Sequence, residues 1–290
     1  IRGPVDRLTR AHVQSAENVA ALVFSETAGA TCGTARSNRK CREKKMATAT
    51  QHQQFTGEQI EELQQIAADH LFMHATQTND WKGDLKLFVK GEGCWVTDIW
   101  GNRLLDGMAG LWYKAAGYGR KEIADAVYAQ MMAIESPPAG SAAVPTVQLA
   151  GKVAELYPDH GCRIFFVSGG SEAVETAVKM AKKHQQLKGK GGAFKVISRR
   201  YSYHGATAMA VSLGRTPAAD PMGPEMPGAV HVTNWNSYRM PFEGSPKDVA
   251  IRCANEFETV IQHNGPETVA AMIAEPVSAA AGIHIPPAEY

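Results

Sequence analysis

Hydrophobic and polar positions along the chain fall into distinct textures. From Thr56 the run TGEQIEELQQIAADHLFMH places Ile60, Leu63, Ile66, Ala67, His70 and Leu71 at three- and four-residue spacing behind a capping Thr, which predicts an amphipathic helix. Residues 85–106, LKLFVKGEGCWVTDIWGNRLLD, change to a period of two around GEG and GN. That pattern predicts three short strands joined by two hairpin turns, a small antiparallel unit.

Beyond Gly110 helical periodicity alternates with short apolar runs. Helices are expected over 120–134, 146–157, 171–188, 205–213 and 247–263, and strands at RIFFV (163–167), AFKVIS (193–198), AVHV (229–232) and VAAMIAEPV (269–277). Strands separated by helix-length segments imply parallel crossovers and a sheet covered on both faces, so this part reads as an α/β large domain. The expected organisation is a non-core leader over 1–45, an N-terminal helix and small antiparallel unit over 46–109, and the large domain over 110–290.

The leader stands apart because it has no sustained period and ends in the basic run RSNRKCREKK before Met46. Two readings are open for it: a transit peptide, or sequence translated from upstream of a start at Met46. At the other end the chain stops at HIPPAEY, after a strand and its loop with no closing helix, so it is expected to be incomplete at its C-terminus.

Composition narrows the classes. A hydrophobic content of 44% in 290 residues supports a sizeable core. A net charge of +1 gives no field that would gather nucleic acid or an anionic membrane, so neither is an expected partner. No apolar run reaches the roughly 20 residues that span a bilayer. The five cysteines, Cys32, Cys41, Cys94, Cys162 and Cys253, form no C-x-x-C pair, which fits a reducing compartment, and the cytoplasm is expected. A mitochondrial location would follow only from a genuine transit peptide.

Three segments carry candidate chemistry. In FFVSGGSEAVETAVKMAKK a strand runs through Ser168, Gly169, Gly170 and Ser171 into a helix. A tight turn at a helix N-terminus aims unpaired N–H groups and the positive end of the dipole at one spot, which suits a phosphate. The plain alternative is a strand-to-helix connection with Ser171 as its cap. The turn is neither G-x-G-x-x-G nor a P-loop. In SRRYSYHGATAMAVSLG, Tyr203, His204 and Gly205 follow the next strand and precede the next helix. Two such loops open at the same carboxyl end of a parallel sheet, where ligands bind. Tyr203 can stack on a flat ring, or it can be a core Tyr beside a backbone-paired His. Finally, MIAEPVSAAAG puts Glu275 at the end of an apolar strand, where a carboxylate needs a partner, either for a task or in a structural ion pair. His70 and His74 have a spacing that can chelate zinc but lack a third ligand, and they read as a packed or pocket-lining pair; no metal is expected.

Together with LLDGMAGLWYKAAGYGRKEIADAV, these segments resemble the ordered signatures of class III pyridoxal-phosphate-dependent aminotransferases, with GLW and GYGRKEI closest to the ω-amino acid:pyruvate branch. The resemblance runs from about residue 60 to the C-terminus. It implies an α/β fold of fold-type I, with a mostly parallel sheet covered by helices and a small N-terminal α+β segment. It also implies pyridoxal 5'-phosphate as cofactor and transfer of an amino group from an ω-amino acid or amine to an α-keto acid, with pyruvate as the expected acceptor.

Carried over residue by residue, the resemblance gives Gly170 and Ser171 the cofactor phosphate and Tyr203 the pyridine ring. His204 and Gly205 shape that loop, and Glu275 stands beneath the ring as the candidate catalytic group. Leu111 and Trp112, with Tyr203, wall the substrate pocket. The family often has Asn-Ser-Gly-Ser where this chain has Ser168-Gly169-Gly170-Ser171, and SAAAG after Val277 also departs from its pattern. The family's Schiff-base lysine and pyridine-pairing aspartate belong beyond the Glu-Pro-Val strand, and a phosphate-contacting threonine comes from a second subunit, so a homodimer is implied and the chain as given is expected to be inactive. Lys179 does not match that lysine and is expected to face solvent. The alternatives are another fold-type I enzyme, an aminomutase or decarboxylase, and a non-catalytic phosphate-binding or interaction module.

Overall fold

A computed structural model describes residues 55–74, 76–158, 161–215 and 223–290. The expected leader over 1–45, with Cys32 and Cys41, lies outside the described residues. The chain divides into two compact units, residues 1–127 and 128–290.

In the first unit, α1 (Gly57–His70) begins with a capping box: the Thr56 hydroxyl accepts from the Gln59 N–H at 3.3 Å, and the Gln59 side chain accepts from the Thr56 N–H at 2.9 Å. Its inner face differs from the expected apolar stripe. Gln64 and Ala67 are the buried positions, while Ile66 and Leu71 are half exposed. The reason is a polar anchor: Gln64 donates to the Leu85 carbonyl at 2.7 Å and accepts from the Leu85 N–H at 2.8 Å. This seats the helix on Trp81 and Leu85 through Ala67. His70 and His74 are exposed rather than packed, and no cluster of three or more metal-ligating side chains occurs among the described residues.

The expected small antiparallel unit is present as β1 (Phe88–Glu92), β2 (Trp95–Asp98) and β3 (Arg103–Leu105), paired in that order. Asp98 closes the second turn by accepting from the N–H groups of Trp100 at 3.0 Å and Asn102 at 2.8 Å. A single left-handed turn, α2 (Ala109–Trp112), follows, and α3 (Lys121–Ala133) then crosses into the second unit. Next comes α4 (Val144–Leu156), with a proline in its first turn.

The second unit is built on a parallel sheet of three strands, β4 (Lys195–Arg199), β5 (Ala229–Val232) and β6 (Val269–Met272), in the order β5-β4-β6. Successive residues of β4 point to opposite faces. Val196 packs with Val178 of α5 (Gly170–Leu187) and with Met209 and Leu213 of α6 (Ala208–Gly214). Ile197 packs on the other face with Val232 and with Phe257 of α7 (Pro246–Asn264). The sheet is thus covered on both sides, as a parallel sheet must be.

Three expectations change here. RIFFV forms no strand among the described residues; Phe165 and Phe166 are exposed, and an extended apolar run becomes a strand only when a neighbour completes its ladder. The helix expected from Gly205 starts at Ala208, because Gly205 has φ +135 and Thr207 is the N-cap. β6 ends at Met272 rather than running to Val277, and only the Ile273 N–H extends its pairing, onto Ile197.

Candidate functional site

Three segments of the second unit, the turn into α5, the loop after β4 and the segment after β6, are drawn together by hydrogen bonds. The first is the turn into α5. Its N-cap is Gly169, which has no side chain to offer, so the first-turn amides are not capped from within. Glu172 reaches back to accept from the Ser168 N–H at 2.8 Å. Ser171, expected as the cap, lies one residue inside the helix, and its hydroxyl accepts from the Ala206 N–H at 2.8 Å.

That bond joins the second connection, from β4 to α6. Gly205 lies between Tyr203 and Ala206 where no larger residue fits. A Cβ there would fall 2.6 Å from Ser171 Oγ and 2.9 Å from Ala210 Cβ, and φ is +135. Tyr203 is half exposed, so its ring is available and its position is set by its backbone. Its N–H donates to Glu275 Oε2 at 3.2 Å.

Glu275, after β6, therefore meets the same loop. Its carboxylate also accepts from the Ser278 hydroxyl at 3.2 Å, and Ser278 is held by Asn234 at 2.8 Å. This satisfies the requirement that a carboxylate at a strand end be partnered, and the partners are a backbone amide and a hydroxyl instead of an ion pair. The Glu275 carbonyl accepts from Arg199, the fully buried last residue of β4.

His204 is buried, with Nε2 3.1 Å from the Ser202 hydroxyl. Burial holds its imidazole below the ordinary value; the Glu275 carboxylate pulls it up, and Arg199 and His231 push it down. The lowered value favours the neutral ring, which lies in hydrogen-bond contact with Ser202.

Gly170, Ser171, Tyr203, His204, Gly205 and Glu275 thus belong to one connected cluster at the carboxyl end of the sheet. Leu111 and Trp112 belong to the first unit, in the left-handed turn, where they are 63% and 61% exposed. Asp106 organises that turn: it accepts from the N–H of Met108 at 3.0 Å, the N–H of Gly110 at 2.6 Å and the Tyr118 hydroxyl at 2.8 Å. These bonds, the one from Tyr118 foremost, hold its carboxyl below the usual carboxylate range.

Sequence reasoning missed Arg199, Ser278 and Asn234, none of which left a legible trace. Lys179 is exposed, as expected. A cavity of about 600 Å³, lined by Arg200, Asn234, Trp235 and Arg239 among others, has none of Gly170, Ser171, Tyr203, His204, Gly205 and Glu275 in its lining.

An uncapped glycine turn at the positive end of an 18-residue helix, beside an available aromatic ring and a partnered carboxylate at the carboxyl end of a parallel sheet, defines an α/β site able to receive a flat, anionic cofactor. The chain belongs to the class-III aminotransferase family, whose model matches residues 78–290. A putrescine–pyruvate aminotransferase of Pseudomonas aeruginosa is 35% identical over 246 residues, covering 82% of this chain and 53% of that protein. The solved (S)-enantioselective ω-transaminase of Thermomicrobium roseum is 38% identical with a TM-score of 0.74, covering 78% of this chain and 51% of that one. The PMP-bound aminotransferase of Vibrio fluvialis gives a TM-score of 0.73 at 32% identity, covering 77% and 50%. The fold is that of the fold-type I transaminases, and class III aminotransferases use pyridoxal phosphate. The chain spans about half the length of the relatives it matches. Among the described residues no helix is long and apolar enough to cross a membrane.

Proposed function

We propose that the protein to which this chain belongs is an aminotransferase that moves an amino group from an ω-amino acid or amine to an α-keto acid, with pyruvate as acceptor. The observation that carries this reading is the convergence of the α5 turn, the Tyr203 loop and Glu275 in a chain of the class-III family. Names of relatives that pair putrescine, β-alanine or taurine with pyruvate support the substrate class.

The residues fit the cofactor. Nothing lies within 4 Å of the Cβ positions of Gly169 and Gly170, so a phosphate has room against the first turn of α5. In this reading Gly170 and Ser171 hold that phosphate, Tyr203 lies against the ring, and His204 and Gly205 set the loop that carries it. Glu275 holds the Tyr203 backbone and would orient the ring's polar edge through its neighbours. Leu111 and Trp112 contact the substrate in this reading. When bound, pyridoxal phosphate supplies an electron sink and a carrier for the amino group.

A homodimer in the cytoplasm completes the proposal. Helices α3 and α4 support it, because neither buries a residue and Met131, Met132, Val144 and Val147 are all exposed. The test is alanine formation from pyruvate by the full-length protein loaded with pyridoxal phosphate, over a panel of terminal amines and ω-amino acids, with sedimentation to read its oligomeric state. A loaded protein that makes no alanine from any donor sinks the proposed activity.

A further inference from the structure

Glu175 has no role in the site described so far, yet one of its oxygens gathers three donors from another element. Oε1 accepts from the Thr207 hydroxyl at 2.7 Å and from the N–H groups of Met209 at 3.0 Å and Ala210 at 3.4 Å. Thr207 is the N-cap of α6, but it makes no side-chain cap bond, because its hydroxyl is turned to Glu175. A seven-residue helix is too short to hold itself, and here its start is capped from α5.

Resting on the cofactor reading above, we propose that Glu175 is a positioning residue, which locks the loop from Tyr203 to Thr207 into the geometry that receives the cofactor. The loop is tied at three points: Tyr203 to Glu275, Ala206 to Ser171, and Thr207 with the start of α6 to Glu175. Gly205, between the first two, already packs against Ser171 without slack. If the α6 end is released, the loop pulls on the Ser171 hydroxyl on one side and on the Tyr203 backbone on the other. Glu175 thus acts through the groups proposed to hold the phosphate and ring, and its side-chain bonds go to Thr207, Met209 and Ala210 instead of to them.

The test compares the full-length wild-type protein with Glu175→Ala, by titration with pyridoxal phosphate and by the circular dichroism that the bound cofactor acquires, which reports ring orientation and not fold stability. The expected result is an affinity about tenfold weaker, with a changed cofactor band. A folded Glu175→Ala protein with wild-type affinity and an unchanged band overturns the proposal. If that variant does not fold, Thr207→Val decides: a changed cofactor band supports the lock, and an unchanged one overturns it. A wild-type protein that fails to bind pyridoxal phosphate removes the cofactor reading and this one with it, whereas equal affinity and the same cofactor band in wild type and variant remove the lock alone.

Discussion

The Ser171 hydroxyl accepts the Ala206 N–H at 2.8 Å, so the start of α5 is stitched to the loop that follows β4. A serine near a helix start usually turns inward to cap its own helix. Here it faces sideways, and the first turn keeps its amides for something else. Ser171→Ala should therefore cost only about 1 kcal/mol of stability, the net value of one hydrogen bond. Its larger effect should fall on the cofactor, with affinity for pyridoxal phosphate reduced about tenfold or more in an absorbance titration. Unchanged affinity would remove Ser171 from the phosphate site.

Gly205 should tolerate no side chain. The added methyl of Gly205→Ala meets Ser171 Oγ at 2.6 Å, and the backbone at φ +135 suits glycine alone. Strain and overpacking together predict a loss of about 3 kcal/mol, read as a lower urea midpoint with an unchanged slope. Stability within error of wild type would show that the loop has slack, against the close approach seen here.

Much of this arrangement was legible in the sequence because periodicity is a local property. The N-cap at Thr56, the three-stranded unit around Gly93 and Gly101, and the alternation of helix and strand from α5 onward all follow from residues within a few positions of one another. RIFFV was misread because a strand depends on its neighbour as well as on its own composition. At the site, residue types gave Gly170, Ser171, Tyr203 and Glu275. The bonds that unite them run between residues 35 and 72 positions apart, and no spacing rule reports those. Arg199 escaped notice for the same reason: an arginine in SRRY looks like surface charge until β4 carries it into the core.

The buried neutral His204 predicts a direction for the pH dependence of folding. Its folded-state pKa is depressed, chiefly by burial, so the unfolded chain takes up the proton first as pH falls. The contribution is fully present above the ordinary histidine value of about 6.5 and is lost as pH drops from there through the lower folded-state value. His231, also buried with a lowered pKa, acts in the same direction. Urea unfolding from pH 7.5 down to 5 should show falling stability, and His204→Gln should flatten the slope relative to wild type. An equally steep slope in the variant would place the titration elsewhere.

Asp106 and Trp112 offer a way to separate substrate recognition from cofactor binding. Ala109, Leu111 and Trp112 all have positive φ, a conformation that costs roughly 1–2 kcal/mol for each residue with a side chain. Such backbone persists only when its surroundings over-determine it, and Asp106 does so by accepting from Met108, Gly110 and Tyr118 together. If this turn presents Trp112 to substrate, Trp112→Ala should raise KM for the amine by about tenfold while affinity for pyridoxal phosphate stays at the wild-type value. Asp106→Ala should reproduce the same split, because it releases the turn without removing the indole. It should also speed amide exchange over residues 108–113, while Trp112→Ala should leave the Gly110 amide protected on Asp106. Loss of cofactor affinity in either variant would tie the turn to the cofactor instead of the substrate, and an unchanged KM in both would take Leu111 and Trp112 out of the pocket.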